Sequence, residues 1–228
     1  MERIFHPELF GWADAMPSTS QTKAIKHDVL TQMGFGEDFY QKMKLGEQNS
    51  KELLENLATG HCLWVHFDHI SGLGRYLAGA FIAVSGDITR APTASAFWKG
   101  MGLDVLNDGS VPRRIRGDKD NPRKVPALPH VTRVGEQIRQ QINRSNGELR
   151  RLYERYRLFY DTKYPDRAKM FNFKAALRAS QKILYACLWE QWRISYGLEA
   201  PWPYAFDILK HPNGHRITIT DLYDKKTE

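Results

Sequence analysis

Gly72 and Gly74 flank Leu73 in the run Ile70-Ser71-Gly72-Leu73-Gly74-Arg75, and glycines at that spacing let a polypeptide backbone grip an anion. Without a Cβ, each lets the main chain come close to a phosphate. A helix starting just after the pair offers its free N–H groups and the positive end of its dipole to the same anion. Arg75 stands at the mouth of such a site. The chemistry would be sequence-independent grip on a nucleic-acid backbone. The plainer alternative is a tight turn between two packed helices, since short glycine motifs recur without function.

The flanking residues set the elements that would hold this turn. Leu63 to His69 has the pattern of a short amphipathic helix, and an apolar helix with small residues Ala78, Gly79, Ala80 and Ala83 follows, ending near Gly86. Helix, Gly-x-Gly turn, helix is the layout of a helix-hairpin-helix. Three short helices are expected earlier, over Gln21–Met33, Asp38–Leu45 and Ser50–Leu57, with Gly34, Gly46 and Gly60 as stops and Ser50 as an N-cap. Thr93 is placed to cap a helix containing Phe97 and Trp98. Helical spacing then predicts helices over Val131–Asn143, over Glu148–Tyr160 and over Arg167–Tyr196, the last stopped by Gly197 and Pro201. On these helices the aromatic residues fall on the apolar stripe and read as core rather than as base-stacking platforms. Ile217-Thr218-Ile219 alternates like an isolated strand. The expected fold is all-α: a helical N-terminal extension over 1–61, a helical domain over 62–204 and a tail over 205–228.

Between Gly102 and Pro129 every periodicity breaks, and four prolines predict a long loop. It carries Arg113, Arg114, Arg116, Lys119, Arg123 and Lys124 against Asp108, Asp118 and Asp120. Either it holds a polyanion or it is a solvated connector. Arg150 and Arg151 add cations on the following helical half. The whole chain of 228 residues has 33 Lys and Arg against 26 Asp and Glu, a formal charge of +7, and such a surplus favours polyanionic partners. Its two cysteines, Cys62 and Cys187, lie in apolar stretches and read as buried free thiols in a reducing compartment. Met1 to Pro7 lacks the apolar core of a signal peptide, and no apolar run has the length of a membrane span. A cytoplasmic protein is expected.

From about Trp64 to Tyr204, a little over half of the chain, the order of features resembles the C-terminal domain of transposases of the insertion-sequence 116/110/902 family, to which the Piv DNA invertases belong. Ile70-Ser71-Gly72-Leu73-Gly74 through Gly86-Asp87-Ile88 is similar to the family's glycine hairpin ending in G-D-I, and Ala91 to Leu103 to its following small-residue segment closed by G-L. The basic loop from Pro112 to Lys119 and a long helix pair follow in the same order. The resemblance implies DNA binding, a candidate serine nucleophile at Ser110, and work alongside a structured RNA. It departs from the family in two respects, the first being that the context of Ser110 does not align cleanly with the family's serine. Complete members carry an N-terminal RuvC-like domain with four acidic metal-binding residues, and the residues before this turn are too few for that fold and lack its strand pattern. The chain therefore resembles a stand-alone, truncated or repurposed transposase C-terminal domain.

Catalytic chemistry has little visible support in the sequence. Metal-assisted phosphoryl transfer needs converging carboxylates, and the acidic residues here are scattered. His211 and His215 lack a third ligand nearby. Ser110 has arginines close by but no identifiable base. The expectation is therefore no metal, no cofactor and no catalysis by this chain alone. The expected partner is duplex DNA, held by Gly72, Leu73, Gly74 and Arg75, by the loop cations, and by Arg150 and Arg151. Structured RNA, a separate nuclease subunit and a second copy of the chain are further partner classes. A helical protein-docking module is the alternative.

Overall fold

Seven α-helices and two 3₁₀ turns account for the regular structure in a computed structural model that describes residues 37–105, 129–201 and 217–224. In chain order the helices are α1 (Glu37–Thr59), α2 (Trp64–Phe67), α3 (Arg75–Ser85), α4 (Ala94–Gly100), α5 (Pro129–Arg144), α6 (Glu148–Lys163) and α7 (Lys169–Ser195). The 3₁₀ turns lie at Ile88–Arg90 and Ile219–Leu222. The fold is all-α, with no strand among the described residues. The described residues from Glu52 onward belong to one compact unit, which holds the candidate site. The basic loop with Ser110, Arg113, Arg114, Arg116, Lys119, Arg123 and Lys124, the first expected helix, and His211 and His215 all lie outside the described residues.

The longest helix, α7, is the axis of the core. Its inward residues Ala176, Leu177, Leu184, Tyr185, Leu188, Trp189 and Trp192 are buried. Leu149, Leu152 and Tyr153 of α6, Val134, Ile138 and Ile142 of α5, and Phe97 of α4 are buried with them. Phe81 of α3 meets Tyr185 at 5.1 Å and Phe67 at 5.5 Å, both edge-on. Such pairing adds to the burial of the rings themselves. Polar groups within this core are tied. Gln181 Nε2 donates to the Gly135 carbonyl at 3.0 Å and to Tyr185 Oη at 2.9 Å, and its Oε1 accepts from Arg139 at 2.9 Å. Burial pushes the Tyr185 phenol well above its usual value.

Helix ends follow local chemistry. Thr93 Oγ1 accepts from the Ala96 N–H at 3.1 Å and caps α4, while Gly86, Gly102 and Gly197 take positive φ where helices stop. Thr93→Ala is expected to lower stability by about 1 kcal/mol, read as a lower urea midpoint at unchanged slope.

Four local expectations are corrected. Asp38–Leu45 and Ser50–Leu57 merge into α1: Gly46 does not stop it, and Ser50 Oγ donates to the Gly46 carbonyl at 2.8 Å instead of capping. An interior glycine costs helix stability without ending the helix. Leu63–His69 contracts to the single turn of α2. Ile217–Ile219 is not a strand, because Thr218 and Asp221 form a capping box that starts a 3₁₀ turn and buries Ile219 and Leu222 together. Cys187 is buried, but Cys62 lies exposed between α1 and α2, and the two are not joined in a disulfide.

The small face of α3 does permit a close approach, and at Gly79 it is made by α1. A Cβ built on Gly79 would lie 1.9 Å from the Leu54 carbonyl oxygen. Ala58, one turn further along α1, is fully buried.

Candidate nucleic-acid interface

The turn between α2 and α3 is held by short-range bonds: Ile70 N–H to the Phe67 carbonyl at 3.1 Å and Leu73 N–H to the Ile70 carbonyl at 3.2 Å. Ile70 and Leu73 are buried and anchor it, whereas Ser71, Gly72, Gly74 and Arg75 are exposed. Leu73 thus serves the turn from inside. The two glycines differ. Gly72 has φ +87°, and a Cβ there would sit 3.4 Å from the Cβ atoms of Gln141 and Ser145 at the end of α5. Its glycine is required by the turn itself. Gly74 is ordinary extended backbone at φ −65°, ψ 172°, and nothing lies within 4 Å of its Cβ position. Open solvent faces it.

From Gly74 the eleven residues of α3 begin with no side-chain cap. The first N–H groups of a helix have no partner inside it, so those of Arg75 to Leu77 face out at the helix N-terminus, where the dipole favours an anion. Arg75 is exposed, and its guanidinium lies 5.8 Å from the Trp64 ring. Among the described residues it forms no ion pair.

Ser71 stands one residue before Gly72, and its N–H already has an anion. It donates to Asp224 Oδ2 at 2.5 Å, and the Glu148 N–H at the start of α6 donates to Asp224 Oδ1 at 2.8 Å. The Asp224 N–H returns to the His69 carbonyl at 2.9 Å. One carboxylate therefore clasps the turn and the α6 N-terminus. A Cβ at Gly147 would fall 1.8 Å from Asp224 Oδ1, so a side chain there would push the carboxylate aside. Tyr223 beside it stacks near His66 and His69, and its Oη lies 2.5 Å from His66 Nδ1. Burial, then the His69 charge, lowers the His66 pKa.

This clasp places Arg150 and Arg151, on the first turn of α6, near the glycine turn. Both are engaged. Arg150 pairs with Glu154 at 2.8 Å, donates to Asn143 Oδ1 at 2.8 Å and lies 4.8 Å from the Tyr153 ring. Arg151 pairs with Glu148. Exposed Arg144, adjacent to Ser145 against Gly72, is a cation that spacing along the chain did not single out. Asp224 was missed as well, for it lies far from the turn in sequence and carries no local motif. Among the described residues no cluster of three or more His, Cys, Asp or Glu is arranged to hold a metal ion, and no helix is long and apolar enough to cross a membrane.

Comparison with protein families, curated proteins and solved structures yields no match.

Proposed function

We propose that this chain binds the backbone of duplex DNA without regard to sequence, as a transposase-like C-terminal module. What carries this is the open, uncapped N-terminus of α3 behind Gly74, with exposed Arg75 beside it. A phosphate placed there receives backbone N–H groups, the helix dipole and a guanidinium at once. Arg144 and the cations between positions 106 and 128 would extend the contact along the duplex. Arg150 and Arg151, already paired, add field more than direct contacts. DNA strand transfer would require a metal-binding nuclease site, which the described residues do not bring together.

Gly74→Asp tests this cleanly. An aspartate suits an N-cap position in extended backbone, so the helix is kept or slightly stabilised, while its charge repels a phosphate. Affinity for a twenty-base-pair duplex should fall at least about tenfold, roughly 1.4 kcal/mol, with unchanged circular dichroism. Wild-type binding should weaken with salt at a log–log slope of about −0.9 per phosphate contacted, and Arg75→Ala should reduce that slope by about one contact. A Gly74→Asp protein that binds duplex like wild type, or a wild type that ignores duplex at low salt, would favour the protein-docking alternative.

A further inference from the structure

We propose that the free end of the α6–α7 hairpin is a second site, a platform for single-stranded nucleic acid. The two helices run antiparallel. Asn172 Nδ2 donates to Asp161 Oδ1 at 3.0 Å, and the Phe173 ring lies 6.0 Å from that of Tyr153. The connection from Tyr164 to Ala168 is therefore a tip. At 1.5 Å per residue α6 is about 24 Å long, which separates this tip from the Asp224 clasp at the other end.

Apolar residues that belong in a core are exposed here. Leu158 is 70% exposed, Phe159 50%, Met170 59% and Phe171 58%. Exposed apolar clusters with a polar surround mark contact surfaces. The surround is cationic. Lys163 Nζ lies 5.4 Å from the Phe159 ring centroid and 5.5 Å from that of Tyr164, and the Arg167 guanidinium lies 4.9 Å from Tyr164. Of the nearby carboxylates, Asp161 is committed to Arg157 at 2.7 Å and to Asn172, which leaves Asp166 against Arg155, Lys163, Arg167 and Lys169.

Ring and cation alternate along this tip, as base and phosphate alternate along a nucleic-acid strand. Stacking on aromatic faces is indifferent to base identity, and cations follow the backbone. A duplex cannot use the rings, because its base faces are already stacked. A second copy of the same tip brings like charge against like. The complementary partner is a strand with its bases free.

The test is fluorescence anisotropy of a labelled twenty-nucleotide oligo(dT) with the full chain at low salt. Phe159→Ala and Phe171→Ala should each weaken binding about tenfold, while Phe159→Tyr keeps it and Lys163→Gln lowers the salt slope by about 0.7. These side chains are exposed, so the helical dichroism should persist, and duplex affinity should stay within about twofold. Gly74→Asp, conversely, should leave oligo(dT) binding intact, so failure of the duplex proposal and failure of this one are separable. Oligo(dT) binding indifferent to both rings overturns the proposal. So does an absence of oligo(dT) binding, including the case in which the chain co-sediments instead with phosphatidylglycerol vesicles.

Discussion

Gly79→Val is expected to prevent α1 and α3 from packing and to unfold much of the domain. The first added carbon would stand 1.9 Å from the Leu54 carbonyl oxygen and 2.6 Å from its carbonyl carbon. These are backbone atoms inside a helix, so no rotamer change relieves the contact. The end of α1 must lift away, taking buried Ala58 with it and opening the apolar face of α3. Overpacking costs about 1–3 kcal/mol where neighbours can yield, and more where they cannot; a domain has only about 5–15 kcal/mol in total. Gly79→Ala should therefore lose at least about 3 kcal/mol in urea unfolding. Gly46→Ala supplies the contrast. That position is an exposed helix interior with nothing within 4 Å, and the change should stabilise α1 by about 0.5–1 kcal/mol. Equal behaviour of the two alanine variants would mean that the α1–α3 crossing is looser than described.

The second large effect is expected at Asp224. Its two carboxylate oxygens accept from the Ser71 and Glu148 amides at 2.5 and 2.8 Å, and hydrogen bonds to a charged group contribute about 1.5–3 kcal/mol when formed in partial burial. Asp224→Ala leaves both amides without that acceptor and removes the anion from the α6 N-terminus. Some of the loss is recovered by water, so a decrease of about 2–3 kcal/mol is expected, with Asp224→Asn milder. Amide exchange followed by mass spectrometry should speed up at Ser71 and Glu148 together. Gly147→Ala, whose methyl would displace the same carboxylate, should cost far less in the Asp224→Ala background than alone. Additive losses would show that the clasp is not a unit.

Long periodic segments were legible from residue types. The limits expected for the three C-terminal helices match α5, α6 and α7 closely, because apolar spacing of 3.6 residues and the stop at Gly197 act locally. Thr93 was identifiable for the same reason: a cap is decided within four residues. What spacing could not fix was decided by distant partners. Ser50 looks like a cap but lies inside a continuous helix. Ile217 to Ile219 looks like a strand but closes into a turn whose apolar residues meet α7. Phe159 falls on the apolar stripe of α6, yet it stays half exposed beside the free end of the hairpin. In the candidate interface, Gly72 and Gly74 look alike in sequence. Only geometry separates a glycine that the turn requires from one that leaves an opening.

The bond from Ser71 to Asp224 joins residues 153 positions apart. Contacts of such separation come late, since the intervening chain must first be ordered. A ribosome delivers Ser71 long before Asp224, so during synthesis α3 and the glycine turn spend that interval without their clasp. The glycine turn is thus sewn to the start of α6 by a residue that emerges only after all seven described helices. Nascent chains stalled just before Tyr223 should hold a helical but unlatched turn.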